Sequence, residues 1–249
     1  MTATPSAPIR IAMWSGPRNI STAMMRSWEN RPDTVVIDEP LYAHYLQVTG
    51  SDHPAREQVI AAHNPDWRAV VSHLVDDPLP PGKSIYFQKH MTHHILDSME
   101  LDWVNPLINC FLLRSPQEVI NSYIKVRPNP TLADIGVAQQ RRIFDHVCIV
   151  TGEIPPVIDS GDVLKDPARV LGLLCESIGV AFDERMLSWP AGPRETDGVW
   201  APYWYDAVWA STGFAPYQAK DAPVPAHLAD LLDEANELYG ELYEHRLGQ

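Results

Sequence analysis

The 249 residues carry 32 Asp and Glu against 19 Lys and Arg, a formal charge of -13 at pH 7. That balance argues against a general nucleic-acid binder, which needs a basic face. A hydrophobic share of 45% with 20% charged residues excludes a disordered chain, and no apolar run approaches the roughly 18 residues of a membrane span. The short polar start, Met1 to Pro8, lacks a secretory pattern. Cys110, Cys148 and Cys175 lie far apart in apolar segments and read as buried thiols of a reducing compartment, so a cytoplasmic location is expected.

In chain order, Ile9 to Trp14 reads as a short strand and Ser15-Gly-Pro-Arg18 as a turn. Asn19 or Ser21 is placed to cap a helix running to about Asn30. Thr34 to Asp38 is a second strand, stopped by Glu39-Pro40. After a polar, His-rich stretch come helices near Arg56–His63 and Asp66–Val75, a turn over Asp77 to Gly82, and a third strand over Ser84–Lys89. Asn109 to Leu113 is a fourth strand. Ser115-Pro-Gln-Glu118 fits a capping box with proline at the first helical position, opening a helix to about Val126. Val137–Val150 is a further helix, Pro156 to Asp159 a fifth strand, and Asp166-Pro opens a helix through Ile178. Leu228, Leu231, Leu232, Ala235, Leu238, Tyr239 and Leu242 share one face of a terminal helix, 226–246. Strands alternating with helices predict one α/β domain over 9–249, after a tail of residues 1–8, with a largely parallel central sheet flanked by helices.

Two turns carry chemistry. Ser15 to Thr22 offers a glycine, the Arg18 cation and the hydroxyls of Ser21 and Thr22 at a helix N-terminus, a natural anion site. No Walker A pattern is present. Arg114 ends the fourth strand, and Ser122 lies eight residues on, sharing a helix face with Ser115. A guanidinium and a hydroxyl there suit a second phosphate.

Together these segments resemble the sulfotransferases that use 3′-phosphoadenosine 5′-phosphosulfate (PAPS), a P-loop-like architecture. Pro17-Arg18-Asn19-Ile20-Ser21-Thr22 falls on that family's 5′-phosphosulfate loop, roughly P-[KR]-S-G-[ST]-T. Arg114 and Ser122 match the arginine and serine that hold the 3′-phosphate. Val157 to Pro167 followed by Phe182 to Leu187 keeps the family's order, and the likeness runs from Ile9 to about Trp189. Asn19 and Ile20 stand where the family has serine and glycine, so the loop is expected to be rebuilt around Gly16. Ser211-Thr212-Gly213 is the candidate for the family's C-terminal loop over the nucleotide. The resemblance implies sulfuryl transfer from PAPS, with PAP as product and no metal required, to a hydroxyl or amine of a small-molecule acceptor. No nucleic-acid or membrane partner is implied, and the oligomeric state is not legible.

Arg18 would neutralise the departing phosphate oxygen. A base must take the acceptor's proton. Glu39 ranks first, since some branches carry a glutamate after the second strand. His90 ranks second, at the place where others carry Lys-x-His; if His90 is that histidine, Gln88 stands for the lysine, and if Lys89 is the lysine, Met91 stands for the histidine. His90, His93 and His94, with Asp97, also have helical metal-ligand spacing, against a plain polar face or a His-rich acceptor pocket. Within the aromatic-rich segment 194–218, Trp200 to Trp209 holds five aromatics in ten residues. It reads as packing on the sheet or as a lid over acceptor or adenine, with Asp206 and Glu195 able to complement a cationic acceptor. The competing functions are a magnesium–ATP kinase or phosphotransferase and a non-catalytic nucleotide-binding module.

Overall fold

The computed structural model describes residues 7–249; the first six residues of the predicted tail lie outside them. Five strands form one sheet: β1 (Ile9–Ser15), β2 (Thr34–Asp38), β3 (Ile85–Met91), β4 (Ile108–Leu113) and β5 (Val157–Asp159). Their order is β2-β3-β1-β4-β5 and every pairing is parallel. The connections carry α1 (Ser21–Glu29), α2 (Tyr42–Thr49), α3 (Arg56–Ala62), α4 (Trp67–Asp76), α5 (Pro116–Tyr123), α6 (Leu132–Ile135) and α7 (Val137–Thr151). After β5 come α8 (Ser160–Lys165), α9 (Pro167–Ser177), α10 (Ala201–Trp204), α11 (Asp206–Trp209) and α12 (Ala229–Tyr243). The predicted α/β architecture with a parallel sheet is therefore the observed one.

Strand periodicity sorts the core into two layers. Ile11 and Met13 of β1 face Met24, Met25 and Trp28 of α1 and Val170, Leu171 and Leu174 of α9. Ala12 and Trp14 face the other way, onto Ile143, Phe144 and Val147 of α7, Trp67 and Val71 of α4, and Leu242 of α12. Tyr42, Tyr45, Leu46, Val59, Trp200 and Tyr205 form a third cluster. All three cysteines are free.

Local signals behave unevenly. Asp66 and Asp166 cap α4 and α9, accepting from the N–H of Arg68 and Arg169. Ser115 precedes Pro116 at the start of α5 but accepts no capping hydrogen bond. The expected capping box does not form because the Glu118 carboxylate is drawn to Arg114, at 2.7 Å from Nη2 and 3.0 Å from Nε. The N-cap of α1 is Ile20, again without a side-chain bond; Asn19 Oδ1 instead takes the Ile20 N–H at 2.8 Å. Helix α2 occupies the stretch read only as polar and His-rich.

Candidate active site

Parallel strands put all their C-terminal ends on one edge of the sheet, where ligands of open α/β folds bind. There the β1–α1 loop meets the β4–α5 turn. Arg18 Nε donates to Ser122 Oγ at 3.0 Å, joining residues 104 apart in sequence. Arg114 Nη1 donates to the Arg18 carbonyl, and Asn19 Nδ2 donates to the Leu112 carbonyl at 3.1 Å. The loop is thus tied to the end of β4 by side chains of both segments. Pro17, Arg18, Asn19, Ile20, Ser21, Thr22, Arg114 and Ser122 all belong to this corner.

The loop's geometry explains its departures from a glycine-rich pattern. Ile20 has φ of -85° and packs against the α1-side core. The left-handed position falls on Arg18, at φ 56°. Gly16 lies so close to α6 that a Cβ would stand 2.8 Å from the Ile135 carbonyl oxygen. Among the described non-glycine residues only Arg18, Glu39 and Ala55 have positive φ. Two of the three are predicted site residues, and strain of this kind concentrates at functional sites.

The corner fits an anionic group. The N–H groups of the first turn of α1 have no capping side chain. The Arg18 guanidinium is pulled below its ordinary range by burial and then by the neighbouring charge of Arg114. Two guanidiniums side by side, with Glu118 offsetting only one charge, are a cradle for phosphate oxygens.

Glu39 follows β2 at φ 42°. Its Oε1 accepts from Lys89 Nζ at 2.6 Å, and Lys89 also donates to Asp38 Oδ1 at 2.8 Å and to the Tyr205 hydroxyl at 2.7 Å. The Tyr205 hydroxyl donates to Asp38 Oδ2 at 2.7 Å. Burial would push the Lys89 ammonium down, but Asp38, Glu39 and Tyr205 outweigh it and hold it well above the ordinary value. One ammonium faces two carboxylates, and burial raises the Glu39 carboxyl despite Lys89. A carboxylate raised in this way is a better proton acceptor. His94 Nε2 lies 4.0 Å from Glu39 Oε2, its ring stacked against Tyr42 and Tyr45.

Two predicted groups stand elsewhere. His90 is on the opposite face of β3 from Lys89, its ring stacked on Trp14 at 4.5 Å with Nε2 3.1 Å from Gln88 Oε1. It is 1% exposed, and burial pushes its pKa down to about 3. The period-2 alternation of β3 turns Lys89 toward Asp38 and Glu39 and points His90 into the α7-side core. Ser211, Thr212 and Gly213 do not roof the loop. Trp189 donates its N–H to the Thr212 carbonyl and its Nε1 to Ser211 Oγ, and Gly213 pairs with Ser188. The Ser188 carbonyl is held by Asn30, the C-cap of α1, so this turn sits at the helix end roughly 13 Å from the loop.

Sequence reasoning missed what lies nearer. Trp204 places its ring 5.9 Å from the Arg18 guanidinium carbon. Gln117 and Asn121 of α5 both donate to the Ala222 carbonyl, so the segment after Phe214 crosses α5. In the aromatic segment Trp200, Ala201 and Tyr205 are buried in the cluster with α2 and α3, while Trp204 faces the loop. Tyr205 carried no motif and Lys89 entered only as the alternative lysine of Lys-x-His; folding, not sequence, brings both to Asp38. His93 and His94 come together, with ring centroids 4.3 Å apart and both against Tyr45, but His90 is turned away onto Trp14. No metal-holding group of three or more His, Cys, Asp or Glu residues occurs among the described residues.

Comparison with known proteins agrees with this geometry. A family model described as a sulfotransferase domain matches residues 9–244. Two Arabidopsis thaliana proteins, branched-chain-amino-acid aminotransferase-like proteins 1 and 2, are each 34% identical to the chain. Those alignments cover 96% and 94% of the chain but 42% and 41% of the relatives, so the chain spans about two fifths of their length. The fold is similar to the sulfotransferase domain of the Synechococcus PCC 7002 olefin synthase, with TM-score 0.55 and 18% identity over 94% of this chain and 97% of that one. It is likewise similar to a sulfotransferase from Alicyclobacillus acidocaldarius, with TM-score 0.54 and 13% identity over 97% and 98%. The chain belongs to the sulfotransferase-domain family.

Proposed function

We propose that the chain transfers the sulfuryl group of PAPS to a hydroxyl or amine of a small-molecule acceptor. The observation that carries this reading is the Arg18–Ser122 hydrogen bond of 3.0 Å, with Arg114 on the Arg18 carbonyl. It supports the reading because it joins the loop that resembles the 5′-phosphosulfate loop to the Arg114–Ser122 pair in one cationic corner. Arg114 and Ser122 bind the 3′-phosphate; Ser21, Thr22 and the N-terminus of α1 bind the 5′ end. Arg18 neutralises the phosphate oxygen that leaves as the S–O bond breaks, and its loss is worth ~3 kcal/mol of transition-state stabilisation by analogy with a lost oxyanion donor. Glu39 takes the proton from the acceptor atom that forms the new bond to sulfur. Lys89 positions Glu39 from behind, and Trp204 limits water at Arg18.

The test compares PAP with adenosine 5′-phosphosulfate, which lacks the 3′-phosphate. Arg114→Ala removes a charge-assisted contact of ~1.5–3 kcal/mol, so PAP affinity falls about 10- to 100-fold. Affinity for adenosine 5′-phosphosulfate stays nearly constant. Equal affinities of the unmutated chain for the two compounds would overturn the 3′-phosphate assignment.

A further inference from the structure

A cleft of about 540 Å³ lies away from the Arg18 corner and runs along β2. Its floor is Val35 to Asp38; one wall is α4 with the 77–80 turn, the other the 195–198 loop. β2 is an edge strand, paired only with β3. The Glu39 N–H donates to the Lys89 carbonyl, so residues 35, 37 and 39 direct their main-chain groups toward β3. Val36 and Asp38 therefore direct theirs outward into the cleft. Among the described residues none of these outward N–H and C=O groups has a main-chain partner. An unpaired edge is a template for another strand, and native folds normally blunt it.

The walls say what kind of strand fits. Val70, Leu74, Leu79 and Tyr86 supply apolar surface, while Asp77 and the exposed Glu195 supply carboxylates. No lysine or arginine lines the cleft. Arg10 is turned onto the main-chain carbonyls of Leu74 and Asp77, the imidazole of His73 lies 3.1 Å from the Asp77 carboxylate, and Arg26 holds Asp197, while the Glu195 carboxylate is exposed. A second copy of a chain with net charge -13 would bring carboxylates against carboxylates.

We infer that this cleft binds an extended, lysine- or arginine-bearing peptide segment of a partner protein, added as a sixth strand beside β2. Main-chain bonds to Val36 and Asp38 give the register, apolar side chains enter between α4 and β2, and cationic side chains meet Asp77 and Glu195. The inference does not depend on PAPS being the donor, although Asp38, which lines the cleft, also holds Lys89 through its carboxylate.

The test uses the full chain and a fluorescent peptide of alternating lysine and valine, capped at both ends. Saturable binding is expected, weakening as ionic strength rises to about 0.5 M. Amide exchange at Val36 and Asp38 should slow at saturation. Asp77→Lys with Glu195→Lys, both exposed, should weaken binding about tenfold or more. The same peptide methylated on alternate main-chain nitrogens should fail to bind. Absence of saturable binding to the unmutated chain overturns the proposal. So does undiminished binding by the charge-reversed variant or of the methylated peptide. Sedimentation showing that the chain pairs with itself through this edge also overturns it, because a second copy is then the occupant.

Discussion

Lys89→Met removes the one cation that Asp38, Glu39 and the Tyr205 hydroxyl share. The ammonium is 1% exposed, with partners at 2.8, 2.6 and 2.7 Å. Methionine keeps most of the apolar stem, so little packing is lost. Removing one partner of a buried ion pair costs ~3–5 kcal/mol, because the other charge stays buried and uncompensated. In a domain of this size each kcal/mol lowers Tm by about 2–4 °C, which gives a drop of roughly 6–20 °C. The loss should also depend on pH. Burial already raises the Glu39 carboxyl while Lys89 opposes it, so without Lys89 it rises further. Between the unfolded carboxyl value and that raised value the folded variant binds the extra proton. Its stability is then fullest in acid and falls as pH rises through the folded value. Urea unfolding of both proteins at pH 5 and pH 8 measures this, and the deficit should be larger at pH 8. Adding Glu39→Gln to Lys89→Met should recover part of it. A deficit under ~1 kcal/mol, or one equal at both pH values, would refute the shared-cation reasoning.

Three further outcomes follow from the same geometry. Arg18→Gly should be more stable than Arg18→Ala by ~1 kcal/mol in denaturant unfolding, since both lose the same contacts and only alanine keeps the strained positive φ. His90 and His93 are held neutral by burial, each pushed down to about 3, and His94 is lowered as well. Their unfolded forms take up protons first, so stability present above about pH 6.5 is lost as pH falls toward 3, by up to ~1.4 kcal/mol per pH unit for each histidine. Unfolding titrations between pH 7 and pH 4 check the slope, and substituting His90 with asparagine should flatten it. Glu39→Gln should abolish transfer to an acceptor found by screening with radiolabelled PAPS, while PAP affinity changes little. Full transfer by that variant would remove Glu39 from the base role.

The sheet was legible because each strand is short, apolar and bounded by turn residues, and because Asp66 and Asp166 announce their helices. The meeting of the Arg18 and Ser122 segments was legible for a similar reason. Arg18 and Ser122 lie at fixed distances from strand ends, and a parallel sheet carries those ends to one edge. What sequence could not supply was the return of the C-terminal third. Trp204 reaches Arg18 and Tyr205 reaches Lys89 across more than a hundred residues, with no local pattern to mark either contact. The face taken by His90 was knowable in principle, because strand alternation sets it opposite Lys89. It was missed by ending the third strand at Lys89, whereas β3 continues to Met91. The position of the Ser211–Gly213 turn was not legible for a simpler reason: short polar and glycine residues occur in most loops, and nothing in them encodes which end of α1 they meet.

Calorimetric titration of the chain with PAP, beside AMP and magnesium–ATP, bears most directly on PAPS as the donor. Tight binding of PAP with little for AMP is expected if, as proposed, Arg114 and Ser122 hold a 3′-phosphate, which AMP lacks. Binding of magnesium–ATP with none of PAP would contradict sulfuryl transfer from PAPS and would assign the cationic corner to a different nucleotide.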